Sequence, residues 1–159
     1  MTHIYERWIV KCPLQIGRTY LEKTIQPAVD GGGTRVIMLR LPVGPDNKGK
    51  IEKNVVVTYG RGTDPMHFDQ VFTVHWTPRD GGPYPDFDGT MTVRSDEVYT
   101  TCILELEGEY KPPLGFAGAA FDAIAGARIA SATARELLRE IGADMERSYH
   151  AQEAMKHDA

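Results

Sequence analysis

Phe116-Ala117-Gly118-Ala119-Ala120-Phe121-Asp122-Ala123-Ile124-Ala125-Gly126-Ala127-Arg128-Ile129-Ala130, continuing through Leu137-Leu138-Arg139-Glu140-Ile141 to about His150, is the stretch that decides the fold. From Ala117 to Met145 it has no proline and is rich in Ala, Leu, Glu and Arg, the residues that lose least on entering a helix. Phe121, Ile124, Ala125, Arg128, Ile129 and Ala132 recur at three- and four-residue steps, and Leu138, Ile141 and Met145 continue the pattern. That spacing predicts one apolar helical face. Arg135, Glu136, Arg139, Glu140 and Glu146 fall opposite. About thirty helical residues reach roughly 45 Å, enough to cross a whole sheet. Pro112 and Pro113 bar an earlier start. The first half is unusually rich in Ala and Gly, which lets a helix approach a sheet closely or leaves room beneath it.

Upstream, the chain alternates with period two, the signature of half-buried strands. Ile4 to Cys12 is the first, with Ile4, Trp8, Val10 and Cys12 on one face and Ile9 an apolar exception on the other. Leu14, Leu21, Ile25 and Val29 then mark a short helical segment that Gly17 and Pro27 are expected to break. Five further strands are expected: Arg35 to Val43, Ile51 to Tyr59, Phe68 to Trp76, Phe87 to Arg94 and Val98 to Gly108, with Ile103 a second outward apolar exception. Gly- and Pro-rich turns separate them, including Pro78 to Pro85. Hairpin-linked strands favour an antiparallel meander over βαβ units. One face is apolar and one polar, so a single layer must cover the apolar face, and the long helix is the candidate. The expected class is α+β, a twisted sheet wrapped around the C-terminal helix, in one domain over residues 1–150. Residues 151–159 read as a polar, frayed tail.

Composition narrows the function. The 159 residues carry a net charge of −4, which argues against nucleic acid as a partner. No apolar run approaches the roughly twenty residues of a membrane span, and the first residues lack a signal peptide's apolar core. A cytoplasmic location is therefore expected, and a homodimer is compatible with this composition. The two cysteines, Cys12 and Cys102, read as buried reduced thiols; a disulfide would require their strands to be neighbours. Asp30-Gly31-Gly32-Gly33 is followed by a strand and by no GK[ST], so the nucleotide readings fail. His3, His67, His75, His150 and His157 show no metal-ligand spacing, and no nucleophile motif appears. No catalytic residue, metal or cofactor is expected. His67, in a loop, is the one general-base candidate; His75, Asp86 and Asp88 read as solvated.

The junction Gly108-x-Tyr110-x-Pro112-Pro113-x-Gly115-x-x-Gly118-x-x-x-Asp122, leading into the long helix, resembles that of the START/Bet v 1-like (SRPBCC) superfamily, in particular its polyketide cyclase/dehydrase-like bacterial members. The element order resembles the helix-grip fold along nearly the whole chain, whose sheet would have six or seven strands. The resemblance implies a cavity between sheet and helix for a lipid-like or polyketide-like small molecule. Its lining would come from Trp8, Leu39, Val57, Tyr59, Phe72, Val74, Trp76, Met91, Leu104, Leu106, Tyr110, Phe121 and Ile124, side chains that could equally fill a core. Arg128 falls on the expected apolar face, where it would anchor an anionic ligand group or snorkel to the edge. The alternatives are an aromatase/cyclase-like enzyme and a protein-interaction module with a filled interior, because fold alone does not settle function.

Overall fold

The computed structural model describes residues 2–30, 34–43, 49–62, 71–80, 84–111 and 123–157. Within them the chain runs β1 (Thr2–Val10), α1 (Leu14–Asp30), β2 (Thr34–Val43), β3 (Gly49–Arg61), β4 (Val71–Pro78), β5 (Asp86–Ser95), β6 (Cys102–Lys111) and α2 (Ala123–His157). The strands form one antiparallel sheet in the order β1-β6-β5-β4-β3-β2. From β2 to β6 it is a hairpin meander. β1 breaks the sequence order by pairing with β6, from Thr2 opposite Tyr110 to Val10 opposite Cys102. The chain must therefore travel from one edge of the sheet to the other before β2, and α1 makes that passage, packing on α2 and over β3 and β5.

α1 runs unbroken through Gly17 and Pro27 for 17 residues, where two interruptions were expected. Pro27 lies in the last turn on an exposed position, so it removes one backbone bond near the helix end with only three residues to follow. Tyr20, Leu21 and Ile25 supply the buried face. α2 likewise runs past His150 to His157, in place of the frayed tail expected over 151–159. Tyr149 packs against the core, Tyr20 donates its hydroxyl to Gln152, and Lys156 pairs with Glu153 at 3.0 Å. The tail is polar because it lies on α1 and solvent, and polarity alone misread it as loose. β6 begins at Cys102 and not at Val98; Val98 and Tyr99 are exposed in the turn after β5. The expected helix start over 116–122, the expected strand start at Phe68 and the candidate base His67 lie outside the described residues.

The buried stripe of α2 is Gly126, Ala130, Thr133, Ala134, Leu137, Leu138, Ile141, Gly142 and Met145. It is rotated from the expected face in the first half of the helix. Arg128 stands two residues from both Gly126 and Ala130, about 200° around the axis, and is exposed. Ile129 and Ala132 are half-buried. The pattern misled because it weighted Ile and Phe above Gly and Ala, while the sheet accepts the small residues. At Gly142 the approach is close: a Cβ there would stand 3.0 Å from the Trp8 ring and 3.2 Å from Val10. Glu6 with Arg135 at 3.0 Å, and the Lys11 amide donating to Glu146 at 2.9 Å, tie β1 to the same helix.

On the outer face the two apolar exceptions meet. Ile9 is paired opposite Ile103, and Ile103 is thereby only 5% exposed. Ile141, fully buried on the opposite side of the sheet, gives the direct check of the helix-on-sheet layer. Ile141→Asp places an unpaired charge in the core and should destabilise the protein by about 3 kcal/mol or more, measured by urea melts. A change below about 0.5 kcal/mol, the usual range for surface positions, would show that α2 does not cover the sheet.

Candidate functional site

The inner face of the sheet is built in cross-strand rows. Val57, Trp76, Phe87 and Tyr110 form one, since Val57 is opposite Trp76, Trp76 opposite Phe87 and Phe87 opposite Tyr110. The next row runs Tyr59, Val74, Gly89, Gly108, Ile4. A third brings Phe72, Met91 and Leu106 side by side, and a fourth joins Val93, Leu104 and Trp8. Period-two alternation puts all these side chains on the α2 side.

The sequence-based candidates Val57, Tyr59, Phe72, Val74, Trp76, Met91, Leu104, Leu106 and Tyr110 are therefore brought together, all buried in one cluster. Trp8 is half-buried at its margin against α2. Arg128 is not brought in. Leu39 lies opposite Lys53 in the β2–β3 ladder; its side chain and that of Ile124 are outside the description, as is Phe121 altogether.

Two glycines shape the middle of this face. Gly89 and Gly108 are directly opposed, and a Cβ on either would run into the tip of the Phe87 ring and the facing strand's backbone. The glycine pair is a side-chain-free bed on which Phe87 lies. Above it Trp76 stacks on Phe87, ring centroids 4.1 Å apart and planes 16° from parallel. The Trp76 indole N–H donates to the Pro85 carbonyl at 3.2 Å, which fastens the end of the β4–β5 connection onto the stack.

That connection delivers a group the sequence reading passed over. Tyr84, read as part of a Gly/Pro loop, is 4% exposed and its hydroxyl meets that of Thr133 on α2. Thr133 donates its own proton to the Ile129 carbonyl at 2.7 Å, so Tyr84 is the donor in the pair. Thr133 is the one buried polar or charged residue among the described residues. The available signals were an aromatic amid Gly and Pro and a threonine on the small-residue half of the helix; neither specifies contact by itself. Burial pushes the Tyr84 phenol up to about 12, against a smaller lowering by the Thr133 hydrogen bond.

The interior thus combines aromatic and aliphatic walls with the hydroxyls of Tyr59, Tyr84, Tyr110 and Thr133, each side chain under 5% exposed. Among the described residues, no group of three or more His, Cys, Asp or Glu side chains is placed to hold a metal ion. No helix there is long and apolar enough to cross a membrane. On the outer face His75 and Asp88 share a 2.6 Å hydrogen bond, and His3 lies 3.0 Å from Glu107. These pairs are solvent-exposed and face away from the aromatic interior.

No family model matches the chain, and no curated protein matches it. Among solved structures it is similar to the Zhui aromatase/cyclase from Streptomyces sp. R1128, with 12% identity over 92% of this chain and 94% of that chain and a TM-score of 0.43. A likeness of that degree carries no argument about ligand or chemistry. The class stated by the structure is an α+β domain whose antiparallel sheet packs an aromatic inner face against a C-terminal helix.

The raised Tyr84 pKa has a measurable consequence. An unfolded tyrosine ionises near 10.0, while the buried one holds its proton to about 12. The folded state thus binds that proton more tightly, and its contribution to stability is whole below pH 10 and is lost as pH rises through that window. In urea melts across it, wild-type stability should fall relative to Tyr84→Phe by about 2 kcal/mol. Parallel curves for the two proteins would place Tyr84 in water.

Proposed function

We propose that the protein binds a flat or elongated hydrophobic small molecule, lipid-like or polyketide-like, between the inner face of the sheet and α2. The observation that carries this reading is the concentration of buried tyrosines. Tyr59, Tyr84 and Tyr110 enter one interior together with the Trp76–Phe87 stack. A buried tyrosine brings a large apolar body together with a hydroxyl that must find a partner or cost stability. Apolar walls with a few placed hydroxyls are the usual make-up of a small-molecule site. The small residues of α2, Gly126, Ala130 and Ala134, face this interior and bring the helix backbone, rather than long side chains, over the rings.

The junction running from Gly108 through Tyr110 to Asp122, together with the sheet-and-helix order, supports placing the chain among START/Bet v 1-like proteins. The interior groups named above are hydroxyls, and Tyr84 keeps its proton at neutral pH. They suit the exchange of internal hydrogen bonds for bonds to a ligand oxygen better than removal of a proton from the ligand. Binding is therefore preferred to cyclase chemistry. Arg128, exposed on α2, takes no part in this interior.

A fluorescent apolar probe such as anilinonaphthalene sulfonate should bind the purified protein and be displaced by fatty acids or flat polycyclic phenols. Met91→Trp should fill space at the row shared with Phe72 and Leu106 and weaken probe binding about tenfold or more, with circular dichroism unchanged. Arg128→Ala should leave the affinity as it was. Absence of probe binding at high protein concentration, with Met91→Trp strongly destabilising, would mean that the rings form a filled core.

A further inference from the structure

Cys12 and Cys102 are the two cysteines of the chain. Both are fully buried, neither is in a disulfide, and their sulfurs lie 3.9 Å apart. The sheet brings them together across 90 positions of sequence. Val10, the last residue of β1, is paired with Cys102, and Cys12 turns back over that pair with its N–H on the Val10 carbonyl at 2.9 Å. α1 is seated directly on the two sulfurs. A Cβ at Gly17 would stand 2.8 Å from Cys102 Sγ, 3.3 Å from Cys12 Sγ and 3.6 Å from the Met145 methyl. A glycine inside a helix is destabilising relative to alanine, and here the close approach of the thiol pair requires it. Both thiols belong to the same buried core, at the end of β6 away from the row that holds Trp76, Phe87 and Tyr110.

The two positions differ in freedom. Cys102 is inside the sheet, bonded between β1 and β5 opposite Val10 and Ser95. Cys12 is in the short link between β1 and α1, after the exposed Lys11. A groove lined by Pro13, Leu14, Ser95, Asp96 and Thr101 opens beside the link. The thiols also differ in acidity. The hydrogen bond from Cys102 holds the Cys12 thiol below the ordinary range, while the same bond and burial push Cys102 up. The Glu146 carboxylate opposes ionisation of both, and Asp96 adds to this at Cys102.

We infer that Cys12 and Cys102 are the site of a reversible intramolecular disulfide, formed with a low-molecular-weight disulfide and fastening the β1–α1 link to β6. When the β1–α1 link lifts from the sheet, the Cys12 thiolate attacks one sulfur of the small disulfide, forming a mixed disulfide and releasing the other half as a thiolate. Cys102, its proton lost to that thiolate, then attacks Cys12 Sγ and releases the second half. Two protein thiols are oxidised, one small disulfide is reduced to two thiols, and both protein protons end on the released thiols. Closing the bond brings the sulfurs from 3.9 Å to about 2.05 Å, a movement that Cys12, outside the strand ladder, can supply.

The test is incubation of the native reduced protein in glutathione buffers graded from reducing to oxidising, with alkylation, intact mass and a non-reducing peptide map. The two thiols should disappear together, with loss of two hydrogens and a Cys12–Cys102 linked peptide. The oxidised monomer should melt about 5 °C higher, since the bond closes a long loop. Cys102→Ser should stop at a stable glutathione adduct on Cys12, and Cys12→Ser should accumulate far less adduct. The inference is overturned if both thiols stay free at a ratio that fully oxidises a reference dithiol. It is also overturned if the linkage joins separate chains, or if the oxidised monomer melts lower than the reduced one.

Discussion

The contact between α2 and the inner face of the sheet is the constraint from which the rest of the architecture follows. A sheet with one apolar face needs a cover, and α2 supplies it with the stripe from Gly126 to Met145. The approach is close at Gly142, against Trp8 and Val10 of β1. Because β1 is held there, beside β6 and under the helix, the chain has to cross the molecule to reach β2 at the other edge. α1 is the crossing, and it gains its own stability by burying Tyr20, Leu21 and Ile25 against what α2 leaves uncovered. Removing the helix-to-sheet contact would take from α1 the part of its packing surface that α2 provides.

The same contact explains why the interior has two kinds of chemistry. Toward the C-terminal half of α2, Leu137, Leu138, Ile141 and Met145 make an aliphatic interface, where shape and burial suffice. Toward the N-terminal half the helix is small-sided, and the sheet answers with rings. Trp76 stacks on Phe87, Phe87 lies on the Gly89–Gly108 bed, and Tyr84 reaches Thr133. Rings and small residues are complementary in volume. The hydroxyls add a requirement for satisfied partners, which Tyr84 and Thr133 meet with each other.

The outer face contributes little to stability by comparison. Its ion pairs, Arg94 with Glu105, His75 with Asp88 and His3 with Glu107, each have at least one partner well exposed to water, which screens them. They match charges across neighbouring strands, as the Ile9–Ile103 pair matches apolar surface. Their effect is on register: a one-residue slip would turn every one of these pairs inward and expose the rings.

What the sequence by itself determined is the order and type of the elements: strands from period-two alternation, a long C-terminal helix from period 3.6 and a proline-free run, and the α+β class from their succession. The inward candidates on β3 to β6, from Val57 to Tyr110, were legible because a strand offers only two faces. Tertiary structure decided the rest. It set the phase of α2 in its first half, exposing Arg128, because a helix offers a continuum of faces and Gly and Ala give no hydropathy signal. It carried α1 through Gly17 and Pro27, since packing outweighs local propensity. It enlisted Tyr84 from a loop and placed Cys12 against Cys102, contacts between residues far apart in sequence. No local pattern encodes such pairs; they exist because β1 closes onto β6 and the helices close over both.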